Sequence, residues 1–418
     1  MIVLNIPDSF KNNGEDYITL PVIYNFIKTH KIDTKGIHKR IDFMEKILEF
    51  GKENEENASV VLNWIDDTIQ EGIKDIYLKY TPLSDEISVL CSKKDKLTEY
   101  LECHISKHFN KHFCQNEYTK EFALINASVQ HSELGDKILF FFCKKLYSYD
   151  SKKKLVKPII YPVIAEYYID GNWLIVKAKP KSNLYIYSEE NFDIEKNDST
   201  TTEKEVYDVM GRVSSILQML EVDKLSAGVM LRKKIFCLLD KYTMTPSEIE
   251  TVISVEDETI TEMTQRVINI CTIKEKCQVP QLAHKDIEDD IRNLVEKYLS
   301  INWTDKDIFI KDRDAYPVKL SATDEEESKV EQTAGAWEPL QTKALFFDNK
   351  KMLYKNKSCD GIVLKWKRIS PMSRREEFFN VRIAMNLKGL CIFKFAEYTA
   401  KEDIENVIFS IIKAKGDN

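Results

Sequence analysis

The chain has 418 residues, a hydrophobic fraction of 43%, a charged fraction of 31% and a formal net charge of −7. This length exceeds what one core ordinarily serves, so we expect several domains, and the composition is typical of a soluble, folded protein. The longest uninterrupted apolar run, Ile138 to Cys143, is far shorter than the roughly 20 residues of a membrane span, so no membrane segment is predicted.

The placement of glycine excludes several nucleotide-binding and catalytic loops. The chain has 12 glycines, and the closest two, Gly36 and Gly51, are fifteen positions apart. A P-loop needs two glycines five positions apart, and a dinucleotide-binding loop needs three within six residues, because a Cβ would intrude where backbone NH groups meet phosphate. We therefore expect no P-loop ATPase or GTPase, Rossmann dehydrogenase, glycine-loop kinase or hydrolase with a GxSxG elbow.

Cysteine usage and the N-terminal sequence predict a cytoplasmic location. The nine cysteines are odd in number and irregular in spacing, which favours free thiols in a reducing compartment. The opening residues, MIVLNIPDSFKNNGEDY, have no basic leader before an apolar core. We therefore expect no secretion signal.

The first 148 residues are predicted to form a mainly helical domain. The segment GIHKRIDFMEKILEFGKE places apolar residues at helical spacing, and ASVVLNWIDDTIQEGIKDIYLKY continues that spacing. Pro82 and Ser84 are predicted to end this second helix.

The spacing of apolar residues changes from a helical to a strand-like pattern at residue 155. Residues 155–192 predict a β-hairpin module, because Asp170-Gly171 stands between two runs that are rich in β-branched and aromatic residues. Residues 203–300 are again predicted to be helical. Their apolar residues alternate in spacing between four and three positions, as in a coiled coil, at Val206, Met210, Val213, Leu217 and Leu220. This pattern lasts barely two heptads, so a helix packed in a bundle is favoured over a coiled coil.

The last third of the chain combines an acidic segment with strand patterns. Residues 301–341 are predicted to be an acidic connector, although DKDIFIKDRD within it is predicted to be a strand with acidic flanks. Residues 342–418 predict an antiparallel meander, with strands at ALFF, MLY, GIVLKWK, FFNVRIAM and LCIFKFAEY. The closing segment KEDIENVIFSIIKAK predicts one covering helix. The predicted fold class is therefore α+β.

The segment ECHISKHFNKHFCQ concentrates potential metal ligands. On a helix, histidines four positions apart would form one stripe, and two of them with a cysteine thiolate could hold zinc. No second Cys/His cluster completes a site and no HExxH pattern supplies a base, so a solvated helix face is favoured over a metal site. The candidate ligands are His104, His108, His112, Cys103 and Cys114.

The net charge conceals local excesses of positive charge. Residues 285–340 carry 15 acids against 8 bases, whereas residues 343–394 carry 13 bases against 4 acids and residues 141–181 carry 9 lysines against 3 acids. Lysines two positions apart on a strand form rows that can follow phosphates, and nearby aromatic rings can stack on unpaired bases, although such lysines also protect exposed strand edges. The predicted nucleic-acid-binding residues are Lys177, Lys179, Lys365, Trp366, Lys367, Arg368, Arg374 and Arg375.

Two other patterns are incomplete. A metal-dependent nuclease often follows a hairpin acid with Glu-x-Lys, but Lys177 and Lys365 occupy the glutamate position after Asp170 and Asp360. Residues 233–270 have the order of helices and turn that a helix-turn-helix requires. The second helix would, however, present acids such as Glu258 to phosphate, which would repel them. Helical packing or a protein contact is favoured there.

These observations predict a non-catalytic subunit that binds nucleic acid or other protein subunits through its lysine-bearing hairpins, with no membrane contact. The first alternative is a metal-assisted hydrolase or nuclease centred on residues 103–114. The second is a protein scaffold in which the acidic connector covers the basic hairpins. A role in phage defence is a hypothesis to which no residue contributes.

Overall fold

The structure of the protein is a computed structural model that describes residues 4, 6, 10, 17–150, 155–186, 199–272, 280–323, 329–370 and 376–414. Helices and antiparallel strands are both abundant in these residues, which confirms the predicted α+β class. None of the described helices has the length and hydropathy required to cross a bilayer.

The described residues form twelve α-helices and twelve strands. The helices are α1 (Leu20–Thr29), α2 (Arg40–Lys52), α3 (Glu55–Thr68), α4 (Asp85–Cys91), α5 (Lys94–Glu102), α6 (Thr202–Ile216), α7 (Lys224–Tyr242), α8 (Ser247–Val255), α9 (Asp257–Thr272), α10 (Gln281–Asn302), α11 (Ala344–Asn356) and α12 (Lys401–Lys413). The strands are β1 (Lys74–Tyr80), β2 (Ala123–Ser132), β3 (Gly135–Asp150), β4 (Leu155–Tyr168), β5 (Trp173–Ala178), β6 (Leu184–Tyr185), β7 (Ser199–Thr200), β8 (Ala315–Thr323), β9 (Lys329–Thr333), β10 (Gly361–Lys367), β11 (Phe378–Met385) and β12 (Cys391–Phe395).

The chain divides into two compact units, of which unit 1 comprises Met1–Ala227 and Asn386–Glu405. Its strands follow the order β7-β6-β3-β4-β5-β1-β12, with β2 paired to β3. On one face, β2, β3 and β4 pack against α1, α2 and α3, and the opposite face of the sheet packs against α4, α5 and α6. Unit 1 is therefore an antiparallel sheet between two helical layers.

Local sequence signals explain where several helices of unit 1 begin. The side chain of Asn54 accepts a hydrogen bond from the Asn57 backbone N at 2.8 Å, ahead of α3. Thr201 caps α6 by accepting from the Lys204 backbone N at 3.2 Å. Such N-caps satisfy backbone donors that a helix leaves without intrahelical partners.

The prediction of a mainly helical domain to residue 148 misses three strands. The run KDIYLKY is β1 rather than the end of a helix, since α3 stops at Thr68. The long strand β3 has consecutive buried residues from Ile138 to Cys143, because helices cover both of its faces. A strand covered on both sides lacks the alternation that identifies a half-buried strand.

The hairpin predicted from Asp170-Gly171 is present between β4 and β5, with Tyr168 paired to Trp173. Asn172 rather than Gly171 adopts the left-handed conformation, with a φ of 55°. A Cβ on Gly171 would lie 2.5 Å from the Trp173 ring. Glycine at this turn therefore permits the close approach of an aromatic side chain.

Unit 2 comprises Gly228–Met385 and Asn406–Asn418. Its strands follow the order β9-β8-β10-β11. Alternate residues of β8, β10 and β11 are buried, including Leu320, Leu364 and Val381, whereas the residues between them are partly or fully exposed on most of their length. This alternation is what an antiparallel sheet with one packed face and one solvated face requires.

Three predictions for the last third differ from the structure. The acidic connector contains the strand pair β8 and β9, and the acids of residues 301–341 lie largely outside β8. DKDIFIKDRD forms a short 3-10 helix, Lys306–Phe309, instead of a strand. ALFF and MLY belong to one helix, α11, because Phe346, Phe347 and Leu353 are buried at helical spacing.

Candidate functional site

Lys177 lies inside unit 1, which contradicts its predicted place in an exposed row. Its side chain is 1% exposed, and its Nζ donates a hydrogen bond to Glu166 Oε1 at 2.8 Å. Lys137 Nζ lies 3.3 Å from the same oxygen and 3.3 Å from Glu405 Oε1. Lys177 is therefore a member of an internal ion-pair network, while Lys179 is partly buried with its Nζ 5.0 Å from the centre of the Tyr17 ring.

Trp366 is a core residue of unit 2 and is unable to stack on a base from solvent. Its side chain is 0% exposed, and its ring centre lies 5.5 Å from that of Tyr242 in an edge-to-face arrangement. A strand turns successive side chains to opposite faces, so burial of Trp366 sends its two neighbours the other way. The predicted stacking role of Trp366 is therefore wrong, and Lys365 and Lys367 lie on the opposite face of β10 from Trp366.

Lys365 and Lys367 lie on the solvated face of the unit 2 sheet. Lys365 is partly buried and Lys367 is exposed. Arg368 follows directly, with its Nε donating to the Glu376 carbonyl at 3.1 Å and its guanidinium 5.0 Å from the centre of the Phe379 ring. Arg374 and Arg375, the other two predicted residues, lie outside the described residues.

Strand register adds two cations that sequence reasoning missed. Val363 is paired with Arg382 on β11 and with Lys319 on β8, so these side chains form one row across three strands. In the next row, Lys365 is paired with Asn380 and Tyr316. Lys319 and Arg382 come from segments 63 positions apart, and only the pairing of the strands brings them together.

Two aromatic rings complete this surface. Lys367 is paired with Phe378, whose ring centre lies 5.4 Å from that of Tyr316 with an interplanar angle of 65°. Phe378 is partly exposed and Tyr316 is mostly buried. We call Lys319, Lys365, Lys367, Arg382, Tyr316 and Phe378 the open sheet face.

The positive charges of the open sheet face are only partly matched by carboxylates. Lys367 Nζ lies 3.2 Å from Glu377 Oε1, and Lys319 Nζ lies 4.0 Å from Glu331 Oε2. Both pairs are exposed, and exposed pairs contribute about 0–1 kcal/mol, so an incoming anion can compete with them. Across the described ranges, neither Lys365 nor Arg382 forms an ion pair.

The histidine-rich segment does not form the helical stripe on which the zinc hypothesis depends. Helix α5 ends at Glu102, and turns and bends follow until a short 3-10 helix begins at Phe113. His104 and His108 are exposed, whereas His112 is buried with its Nδ1 2.7 Å from Asp66 Oδ2. Among the residues that the structure describes, no three His, Cys, Asp or Glu side chains are grouped so as to hold a metal ion.

The two cysteines of this segment also have different surroundings. Cys103 is exposed, whereas Cys114 is buried and its burial raises the pKa of the thiol to about 12. A thiol with so high a pKa is protonated at neutral pH and is a poor metal ligand. Cys114 therefore does not add a thiolate to the histidines, and Cys103 belongs to no group of three potential ligands among the described residues.

The segment considered as a helix-turn-helix packs as helices. Ile249 and Ile253 of α8 and Ile260 of α9 form a buried cluster with Phe309. Glu258, Glu262 and Arg266 remain exposed on α9. Helical packing is thus observed, and the exposed surface of α9 keeps its acidic character.

Comparison with models of known protein families finds no match, and comparison with curated proteins finds no similar sequence.

Proposed function

We propose that the protein is a non-catalytic subunit that binds single-stranded nucleic acid through the open sheet face of unit 2. The observation that supports this most strongly is the alternation of Lys365 and Lys367 with the buried Trp366 and Leu364. This alternation holds two cations on the solvated side of a packed sheet. Arg382 and Lys319 extend the positive charge across the neighbouring strands.

Each part of the surface has a role that fits this ligand. Ammonium and guanidinium groups neutralise phosphates, and Lys365 and Arg382 are available because neither has an ion pair in the described chain. Phe378 offers a partly exposed ring on which an unpaired base can stack. A double helix would hide its base faces from this ring, so a single strand is favoured.

The proposal predicts a specific dependence on salt. If the four cations of the open sheet face each neutralise one phosphate, the slope of log K against log salt is about −2.8 for a single strand. The affinity then falls about 50-fold between 50 and 200 mM salt, as follows from that slope. Fluorescence anisotropy of a labelled single-stranded oligonucleotide measures both quantities.

Paired variants locate the interface. The double variant Lys365→Ala/Arg382→Ala should reduce the magnitude of the slope by about 1.4 and weaken binding about 25-fold at 0.1 M salt. A matched control, Lys311→Ala/Lys355→Ala, removes two exposed lysines of the same unit that lie outside the open sheet face. Equal losses in the two double variants, or no binding by the unmodified chain at low salt, would rule out this interface.

The variant Phe378→Ala tests the stacking component separately from charge. It should weaken binding by about 1–3 kcal/mol, which is the range for one base stacked on an aromatic side chain. The salt slope should stay unchanged because no phosphate contact is removed. A change in slope without a loss of affinity would contradict the stacking role of Phe378.

A further inference from the structure

Trp337 carries the one exposed indole among the five tryptophans, all of which lie in described residues. It is 53% exposed. Across the described ranges its indole has neither a hydrogen bond nor a contact with another ring. Large aromatic side chains bury most of their surface in a folded chain or in an interface, so this ring is available to a ligand. The other four tryptophans are buried or half-buried, namely Trp64, Trp173, Trp303 and Trp366.

The backbone at Trp337 has a conformation that a bulky residue rarely adopts. Its φ is 59°, in the left-handed region, where the Cβ of an L residue crowds the following carbonyl oxygen. Gly335 belongs to the same short 3-10 helix and could take a positive φ without this cost, but its φ is not positive. Strain of this kind persists where the surrounding structure imposes it, and it is concentrated at binding sites.

Contacts on both sides of Trp337 place it beside the first half of β8. Before it, the Ala334 backbone N donates a hydrogen bond to the Val318 carbonyl at 2.8 Å. After it, Gln341 Oε1 accepts a hydrogen bond from Arg313 Nη1 at 3.0 Å. The segment that carries the indole therefore runs alongside β8 towards the start of that strand.

Trp337 and Phe378 lie at opposite edges of the unit 2 sheet. Trp337 follows the edge strand β9, and Phe378 belongs to β11 at the other edge. Tyr316 and Lys365 are paired on the two strands between them. Four neighbouring strands cover three spacings of about 4.8 Å, or about 14 Å in all. About four nucleotides of a single strand cover this distance at about 3.4 Å each.

The acids beside this route have cationic partners. Glu338 Oε2 lies 2.5 Å from Lys343 Nζ, and Asp314 Oδ2 lies 3.8 Å from Lys241 Nζ. Each of these carboxylates is therefore compensated by a lysine. Lys365 has no ion pair in the described chain, so it supplies positive charge between the two rings.

We propose that Trp337 is a second base-stacking residue of the open sheet face, and that a bound single strand crosses the sheet from Phe378 to Trp337 with a phosphate at Lys365. This inference rests on the proposed function. Every base has a π face, so two rings at opposite edges fix the path of the strand without selecting its sequence. The ligand is therefore a single strand of about four nucleotides or more.

Iodide quenching of tryptophan fluorescence in the full chain tests the contact directly. Iodide reaches exposed indoles first, so the most readily quenched part of the emission comes from Trp337. Saturating unlabelled decathymidylate should remove most of this quenching, because a stacked base shields the ring. The variant Trp337→Phe should lose the readily quenched emission and keep most of the affinity, since a phenyl ring also stacks.

The variant Trp337→Leu keeps an apolar side chain but removes the ring. It should weaken binding of labelled decathymidylate about 5- to 140-fold in fluorescence anisotropy, which is the range for one stacked base expressed as a ratio of affinities. The loss should be smaller for a dithymidylate, which is too short to reach both rings, and an equal loss would contradict the path across the sheet. Leu294 on α10 is 51% exposed, and its variant Leu294→Ala is the control that should change neither affinity.

The variant Trp337→Gly separates binding from folding. Glycine adopts a positive φ without crowding, so the thermal midpoint should equal or exceed that of the unmodified chain while the affinity falls as in Trp337→Leu. Unchanged affinity in both variants, or iodide quenching that bound decathymidylate does not reduce, overturns this inference and leaves the open sheet face in place. Absence of binding by the unmodified chain at low salt removes both proposals.

Discussion

Glu166→Gln perturbs the buried ion-pair network of unit 1 at its centre. Glu166 is 0% exposed and accepts hydrogen bonds from Lys177 at 2.8 Å, Lys137 at 3.3 Å and Tyr168 at 3.1 Å. Glutamine keeps the volume but removes the charge, so Lys177 loses its carboxylate in a site without water access. Breaking a buried ion pair in this way costs about 3–5 kcal/mol, which we expect as the loss in unfolding free energy.

The pH dependence of stability gives an independent value for the contribution of Glu166 to the free energy of unfolding. Burial alone would raise the pKa of Glu166, but the charges of Lys177 and Lys137, with hydrogen bonds from Lys177 and Tyr168, outweigh it and lower the pKa from 4.5 to about 2. A carboxyl group with a depressed pKa in the folded state stabilises the fold above its unfolded pKa. That contribution, about 3 kcal/mol by linkage, is lost as the pH falls from about 4.5 towards 2.

Urea unfolding followed by circular dichroism measures both effects. At pH 7 the Glu166→Gln variant should lose about 3–5 kcal/mol, and its remaining stability should fall less steeply below pH 4.5 than that of the unmodified chain. Glu166→Leu combined with Lys177→Met should recover most of the loss, because both charges are removed together. The exposed Glu99→Gln is the matched control.

A loss below about 1 kcal/mol in Glu166→Gln would refute the reasoning, since that is the size of an exposed ion pair. Equal stability of the single and double variants would also refute it, because the cost would then come from Glu166 itself and not from the lysine that it leaves unmatched. In the first case the network would be solvated rather than buried.

Three further outcomes follow from the structure. Trp366→Ala should lose about 3–5 kcal/mol of unfolding free energy in a denaturant titration, as buried aromatic residues do, whereas a base-stacking residue on the surface would lose little. Gly135→Ala should lose about 1–2 kcal/mol in the same measurement, because Gly135 has a φ of 94° that an L side chain rarely adopts. Towards a thiol reagent at pH 8, the exposed cysteines should react promptly and the buried ones slowly, because burial raises the thiol pKa and blocks access; a prompt reaction of the buried group would contradict the packing. The exposed group is Cys103 and Cys271, and the buried group is Cys114, Cys143, Cys359 and Cys391.

Helices with an apolar stripe and strands with strict alternation could be predicted from the sequence. Helix α2, helix α12 and strand β11 were all identified from periodicity, because each buries one side only. Strand β1 and strand β3 were missed for the opposite reason. Helical layers cover both faces of β3, and the first five residues of β1 are all buried, so neither strand shows the alternation of a half-buried strand.

The histidine segment shows how spacing misleads when no helix forms. Residues four positions apart share a face only if the backbone is helical, but α5 ends at Glu102. Asp66, which contacts His112 at 2.7 Å, is 46 positions earlier in the chain. No local pattern connects these two residues, so the partner of His112 could be found only from the tertiary structure.

The Lys-x-Lys patterns of β5 and β10 have the same sequence spacing, but Lys177 is buried whereas Lys365 and Lys367 lie on a solvated face. The elements next to each strand account for this difference. Strand β5 lies between β4 and β1 and all six of its residues are buried, so Lys177 needs an internal anion. The position of the turn at Asp170-Gly171 in the sequence indicates which acid this is. The turn pairs Glu166 with Ile175, so Glu166 lies diagonally beside Lys177. On β11 the two positions diagonal to Lys365 hold Phe378 and Arg382, and neither is an acid. An acid at the diagonal position therefore distinguishes a lysine that a sheet will bury from one that it leaves free to meet phosphate.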